Sequence, residues 1–128
     1  MTLFVFYVII AFGFNPSISL IILGNTMKEE IYTYLKEQFG DDKDTIEAVY
    51  AEYCTTVHER IADIQKTFEA KDMEQVRHLA HTLKGDTAIV GDSNMNEHAK
   101  AFEAAVKASD LETCKSELAI LVALLPEA

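Results

Sequence analysis

Downstream of Met27 the apolar residues recur at steps of three and four almost without interruption, and this periodicity leaves little freedom of fold. Such spacing lines side chains along one stripe of an α-helix, whereas a half-buried strand would need strict alternation. Ile46, Val49, Tyr50, Tyr53, Val57, Ile61, Ile64 and Phe68 form the longest stripe. The 128 residues contain only 5 Gly and 2 Pro. An all-β chain needs a turn every ~8–12 residues and more breakers than that.

Stop and cap signals divide the periodic region into one short helix and four longer ones. The first is expected from about Lys28 to Phe39, with Ile31, Leu35 and Phe39 inward and Gly40 as its stop. Asp44 with Glu47 resembles a capping pair for the second. The third opens at Asp72, with Gln75 at the capping-box position, and runs to Gly91; its core stripe is Val76, Leu79, Ala80, Leu83, Thr87 and Val90. The fourth starts after Asp92 or Ser93 and turns Met95, Ala99, Phe102 and Val106 inward. Ser109 and Glu112 frame the fifth as S-x-x-E, with Leu111, Cys114, Leu118, Leu121 and Leu125 on its stripe. Amphipathic helices joined by short connections bury their stripes against their neighbours. The expected fold class is therefore all-α: an antiparallel up-and-down four-helix bundle with a short additional N-terminal helix.

Residues 1–26 stand apart as an apolar leader, and residues 27–128 form one domain. The leader is almost wholly apolar from Leu3 to Leu23, interrupted by Asn15, Pro16, Ser17 and Ser19, and residues 1–27 carry no charged side chain. Its length suits a membrane span, but the polar cluster falls mid-run and no Lys or Arg precedes it. A signal peptide would carry a basic n-region and a small-residue cleavage site, and neither is present. A misassigned start, with translation beginning at Met27, is the third reading.

The formal net charge is −10, from 21 acidic and 11 basic side chains, all of them beyond residue 27. Such a surface repels phosphate backbones and argues against nucleic acid as a partner. Cys54 and Cys114 lie 60 positions apart without zinc-finger or C-x-x-C spacing, which suits small core hydrophobes in a reducing compartment.

Opposite its core stripe the third helix carries Glu74, Arg77, His78, His81, Lys84, Gly85 and Ala88 at helical spacing. A solvent-facing imidazole titrates near ~6.5, so a good fraction is neutral at physiological pH and one ring nitrogen is nucleophilic. Lys84, one turn beyond His81, can attract the oxygens of a phosphoryl group carried there. Gly85 removes the side chain that would stand beside the imidazole, and with Ala88 it leaves a low patch for close approach of another protein. Arg77 is either a solvated charge or a contact to a partner's acidic rim. Glu74, His78 and His81 could share a metal as neighbours on one face, but zinc wants a fourth ligand and an ordered second shell, so no metal is expected. His58 and His98 look incidental.

The run Ala80-His81-Thr82-Leu83-Lys84-Gly85, followed by Gly91, resembles the A-H-x-L-K-G signature of histidine-containing phosphotransfer (HPt) domains, over about Met27 to Leu125. The resemblance implies the same helical bundle, with His81 as phosphoacceptor, Lys84 assisting, and Gly85 giving a receiver's aspartate access. Arg77, His78, Asp86 and Ala88 would join Gly85 in binding the partner. Phe102-Glu103 resembles the family's hydrophobic-Glu pair, read as structural. Asp86 departs from the pattern, which usually has Ser or Ala there. A carboxylate beside the docking surface would oppose an acidic receiver pocket and bias partner choice.

The resemblance further implies response-regulator receiver domains and a hybrid sensor kinase as partners. It implies a Mg2+ ion held by the receiver and no cofactor here, and a cytoplasmic domain, with membrane contact only if residues 1–26 are an anchor. No glycine-rich nucleotide loop is present, so a phosphoryl carrier without kinase activity is expected rather than a kinase. The alternatives are a phosphorylation-independent adaptor or kinase-binding module on the same fold, and a small metal-binding bundle.

Overall fold

The computed structural model describes residues 27–126, so the apolar leader lies outside the described residues. Within them the chain forms five helices and no strand: α1 (Glu29–Phe39), α2 (Lys43–Glu69), α3 (Met73–Ile89), α4 (Ser93–Lys107) and α5 (Leu111–Ala123). From α2 onward each helix packs on the next, α5 also touches α2, and α1 lies against α2. The stripes meet in one core that holds Ile46, Val57, Ile61, Ile64, Val76, Leu83, Met95, Phe102 and Leu121 with essentially no exposed surface. A fully buried side chain of this size contributes roughly 1.5–3 kcal/mol.

One device makes the last three turns. Ala70-Lys71-Asp72, Val90-Gly91-Asp92 and Ala108-Ser109-Asp110 each place a left-handed residue between two helices, with φ of 60° at Lys71, 70° at Gly91 and 56° at Ser109. The N–H of the following Asp then donates back across the turn, to Thr67, Thr87 and Ala105 carbonyls respectively, closing the preceding helix. The same Asp opens the next helix, its carboxylate accepting from the N–H of Gln75, Met95 or Thr113. A residue that both ends one helix and caps the next leaves no slack, which keeps consecutive helices in contact.

Only Gly91 among the three left-handed positions is glycine, and crowding explains why. A Cβ there would lie 2.6 Å from Tyr34 Cγ on α1, far inside van der Waals contact. This close approach and the bond from Lys28 Nζ to Asp92, 3.1 Å, fasten α1 to the turn between α3 and α4.

Several expected details differ. The second helix is capped by Asp42, whose carboxylate accepts from Thr45 N–H, while Asp44 lies inside the first turn and serves the helix dipole. The fifth is capped by Asp110 because Ser109 is committed to the left-handed turn. Phe39 and Leu111, at the last and first positions of their helices, are exposed rather than in the core.

Candidate functional site

The α3 stripe faces the core as expected, with Val76, Leu79, Ala80, Leu83, Thr87 and Val90 all buried. That burial fixes the rotation of the helix. Arg77, His78, His81, Gly85 and Ala88 are thereby exposed, and Lys84 sits at the boundary toward α4. Asn96 of α4 pins this stretch by donating from Nδ2 to the Lys84 carbonyl at 2.9 Å and to Thr87 Oγ1 at 3.0 Å.

His81 does not stand alone. Its Nδ1 lies 2.9 Å from Oε2 of Glu103 on α4, while Oε1 of the same carboxylate accepts from Lys84 Nζ at 3.1 Å and from Lys107 Nζ at 3.3 Å. The Glu103 side chain is 7% exposed and that of His81 is 69% exposed. A buried carboxylate thus holds an exposed ring. Burial on its own would raise the Glu103 carboxyl, but hydrogen bonds from Lys84, His81 and Lys107, with the Lys84 charge, outweigh it and bring the group down to about 2.

An ionised carboxylate can only accept, so the ring nitrogen facing it must be the donor. The neutral imidazole is then the Nδ1–H tautomer, and its lone pair lies on Nε2, the nitrogen not bonded to Glu103. Positive charge that develops on the ring during attack by Nε2 would be met by Glu103 through Nδ1–H, as a buried aspartate steadies the histidine of a catalytic triad. Lys84 and Lys107 give two ammonium groups to one carboxylate, so the immediate surroundings of the ring are cationic on a chain of formal charge −10. This suits a phosphoryl group.

Gly85 lies one turn beyond His81, and a Cβ built on it would meet nothing within 4 Å. The fold therefore has no steric need for glycine at this position. Ile89, a turn further on, is largely exposed. Asp86 is not the uncompensated carboxylate that the sequence presents: Arg60 Nε on α2 donates to its Oδ2 at 2.9 Å, and its side chain is only 15% exposed.

Sequence reasoning overlooked Glu103 as a site residue and passed over Lys107 and Arg60. Glu103 and Lys107 are four apart on one helix face, a pairing legible from spacing. Their position against His81 depends on how α4 packs on α3. Among the described residues no three His, Cys, Asp or Glu side chains are grouped to hold a metal, and no helix is long and apolar enough to cross a membrane.

Helical throughout its described residues, the chain bonds two imidazoles to carboxylates, His98 to Glu117 at 2.7 Å and the far more exposed His81 to Glu103. Only His81 also has open backbone one turn away, and these are the features of domains that receive and pass on a phosphoryl group at histidine. A sequence model of the Hpt domain family matches residues 48–128, and the chain belongs to that family. Hpt domains are phosphotransfer carriers rather than kinases. The chain is also 29% identical over 90 residues to Multistep phosphorelay regulator 1 of Schizosaccharomyces pombe (strain 972 / ATCC 24843). The alignment covers 70% of this chain but 30% of that protein. No solved structure matches the chain.

Proposed function

We propose that this protein carries a phosphoryl group on Nε2 of His81 between receiver-domain aspartates in a multistep His-Asp relay. The single observation that carries the reading is the bond between His81 Nδ1 and the buried, ionised Glu103. In the loading step the Nε2 lone pair attacks the phosphorus of an aspartyl phosphate on the receiver. The N–P bond forms as the aspartate O–P bond breaks, and the aspartate leaves as a carboxylate. The ring keeps its Nδ1 proton throughout, so the phosphorylated ring is cationic and Glu103 balances it. Unloading onto a second receiver reverses these bond changes.

Lys84 has three donors and commits one to Glu103, leaving others for the phosphoryl oxygens. Gly85 and Ala88 provide clearance for the incoming aspartate, and Arg77 and His78 border the same exposed face. The Mg2+ ion of the reaction belongs to the receiver in this reading, and the chain has no kinase activity of its own. A hybrid sensor kinase would supply the phosphoryl group and the domain would work in the cytoplasm. The four longer helices are read as an antiparallel up-and-down bundle; the repeated tight turns and the closure of α5 on α2 support this.

The test is incubation of the full chain with a panel of phosphorylated receiver domains, beside His81→Gln. Acid-labile, alkali-stable label should appear on the wild type and be absent from the variant. Receivers that bind both proteins while labelling neither would instead make this an adaptor.

A further inference from the structure

The departure at Asp86 has a counterpart on α2. Asp86 follows Gly85 directly and sits roughly 140° around the helix from His81. This places it on the flank of the exposed face that meets α2, where Arg60 reaches it at 2.9 Å. A guanidinium has five N–H donors in a fixed fork. Among the described residues only the Nε–H of Arg60 is bonded, to Asp86, and the side chain is partly exposed. Four N–H groups at the rim of the face are thus left for solvent or a partner.

We infer that Arg60 is a docking determinant of this protein: it cancels the Asp86 carboxylate at the edge of the face around His81 and offers its remaining donors to the acidic surface of a receiver. The inference rests on the relay reading, which names the partner's chemistry. Charge at a rim acts on association more than on the step that follows, and salt screens it. Removal of Arg60 exposes one negative charge and withdraws one positive charge on the approach path of an acidic partner. Arg60→Gln keeps a hydrogen-bond donor for Asp86 without the charge, so a merely structural role would survive in that variant.

The experiment measures both receiver binding and phosphotransfer for full-length wild type, R60A, R60Q and R60A/D86S, each at low and high salt, with urea midpoints to score folding. At low salt R60A and R60Q should bind and react about fivefold more slowly than wild type, through KM rather than the rate at saturating receiver. The loss should shrink at high salt, and R60A/D86S should recover the share that comes from the uncovered Asp86 carboxylate, but not the share that comes from the lost Arg60 donors. R60Q behaving as wild type at low salt, or R60A/D86S remaining as slow as R60A, overturns the proposal. Arg60-dependent binding without any labelling would sustain the docking role and overturn the relay. Labelling that is indifferent to Arg60 does the reverse, and absence of both binding and labelling across the panel overturns both.

Discussion

Two buried carboxylates on and beside α4 collect their partners from neighbouring elements, and they are put to opposite uses. Asp92, at the start of the helix, accepts from Tyr53 Oη of α2 at 2.8 Å, from Lys28 Nζ ahead of α1 at 3.1 Å and from Met95 N–H at 3.3 Å. The Tyr53 hydroxyl is buried, and burial together with the adjacent carboxylate pushes the phenol far above its usual range. Asp92, itself buried, therefore locks three parts of the chain together, with Tyr53 covered and Lys28 reaching solvent. Glu103, eleven residues further along, gathers His81, Lys84 and Lys107. Its partners reach solvent, and one of them is the imidazole proposed to take the phosphoryl group. The same chemistry serves as a fastener at one end of α4 and as a mount for an exposed ring near the other. The difference lies in the partner each one orients: a buried phenol that is closed off at Asp92, an imidazole that is 69% exposed at Glu103.

That contrast makes opposite demands on substitutions, and Asp92→Ala should have the largest effect on stability. It strands a buried hydroxyl and removes a helix cap at once, at a cost of about 3 kcal/mol. Urea unfolding should show a lower midpoint with little change in slope. The rate of phosphotransfer per folded molecule should stay within about twofold of wild type, because nothing at Asp92 touches the imidazole. A loss of transfer beyond the unfolded fraction would mean that the turn between α3 and α4 also sets the position of His81.

Glu103→Gln inverts the pattern. The amide keeps the shape and can accept from the lysines, but it lacks the charge that steadies a cationic ring. Transfer to and from His81 should fall about ten- to a hundredfold while the urea midpoint at neutral pH moves far less. Acid unfolding sharpens the comparison. A folded-state carboxyl at about 2, below the ordinary glutamate value of 4.5, adds stability that is fully present above the unfolded value. That stability is lost as the pH falls from about 4.5 toward 2. Wild type should weaken across this window by on the order of 2 kcal/mol more than Glu103→Gln.

How much of this was legible beforehand follows from which interactions are local. The stripes from Ile46 to Phe68 and from Val76 to Val90 specified their helices because burial on one face leaves a periodic trace in the chain. Caps were harder. Asp44 and Ser109 satisfy the capping patterns as well as Asp42 and Asp110 do, and only the backbone conformation of the turn decides between them. His81, Lys84 and Gly85 stood out because they share one helical face. Glu103 was visible in a hydrophobic-Glu pair and at i,i+4 spacing from Lys107, but not as a partner of His81, since that contact spans 22 residues of sequence. The charge balance at Asp86 comes from Arg60, 26 residues away, and no spacing rule reaches that far.

The smallest expected effect tests whether the open side of the mount is functional or incidental. Gly85 occupies the interior of α3, where glycine costs about 0.5–1 kcal/mol relative to alanine. A methyl group there meets no neighbour within 4 Å, so the fold would accept it without adjustment. Gly85→Ala should raise stability by about 0.5–1 kcal/mol. The same methyl would stand beside His81 where a receiver's aspartate must approach, and transfer should slow by about threefold. Opposite signs on the two measurements would show that the glycine is kept for clearance above the imidazole at the expense of helix stability. A variant that is both more stable and equally fast would mean that partners reach Nε2 from the side of α4, over Lys84 and Lys107, and that Gly85 has no part in docking.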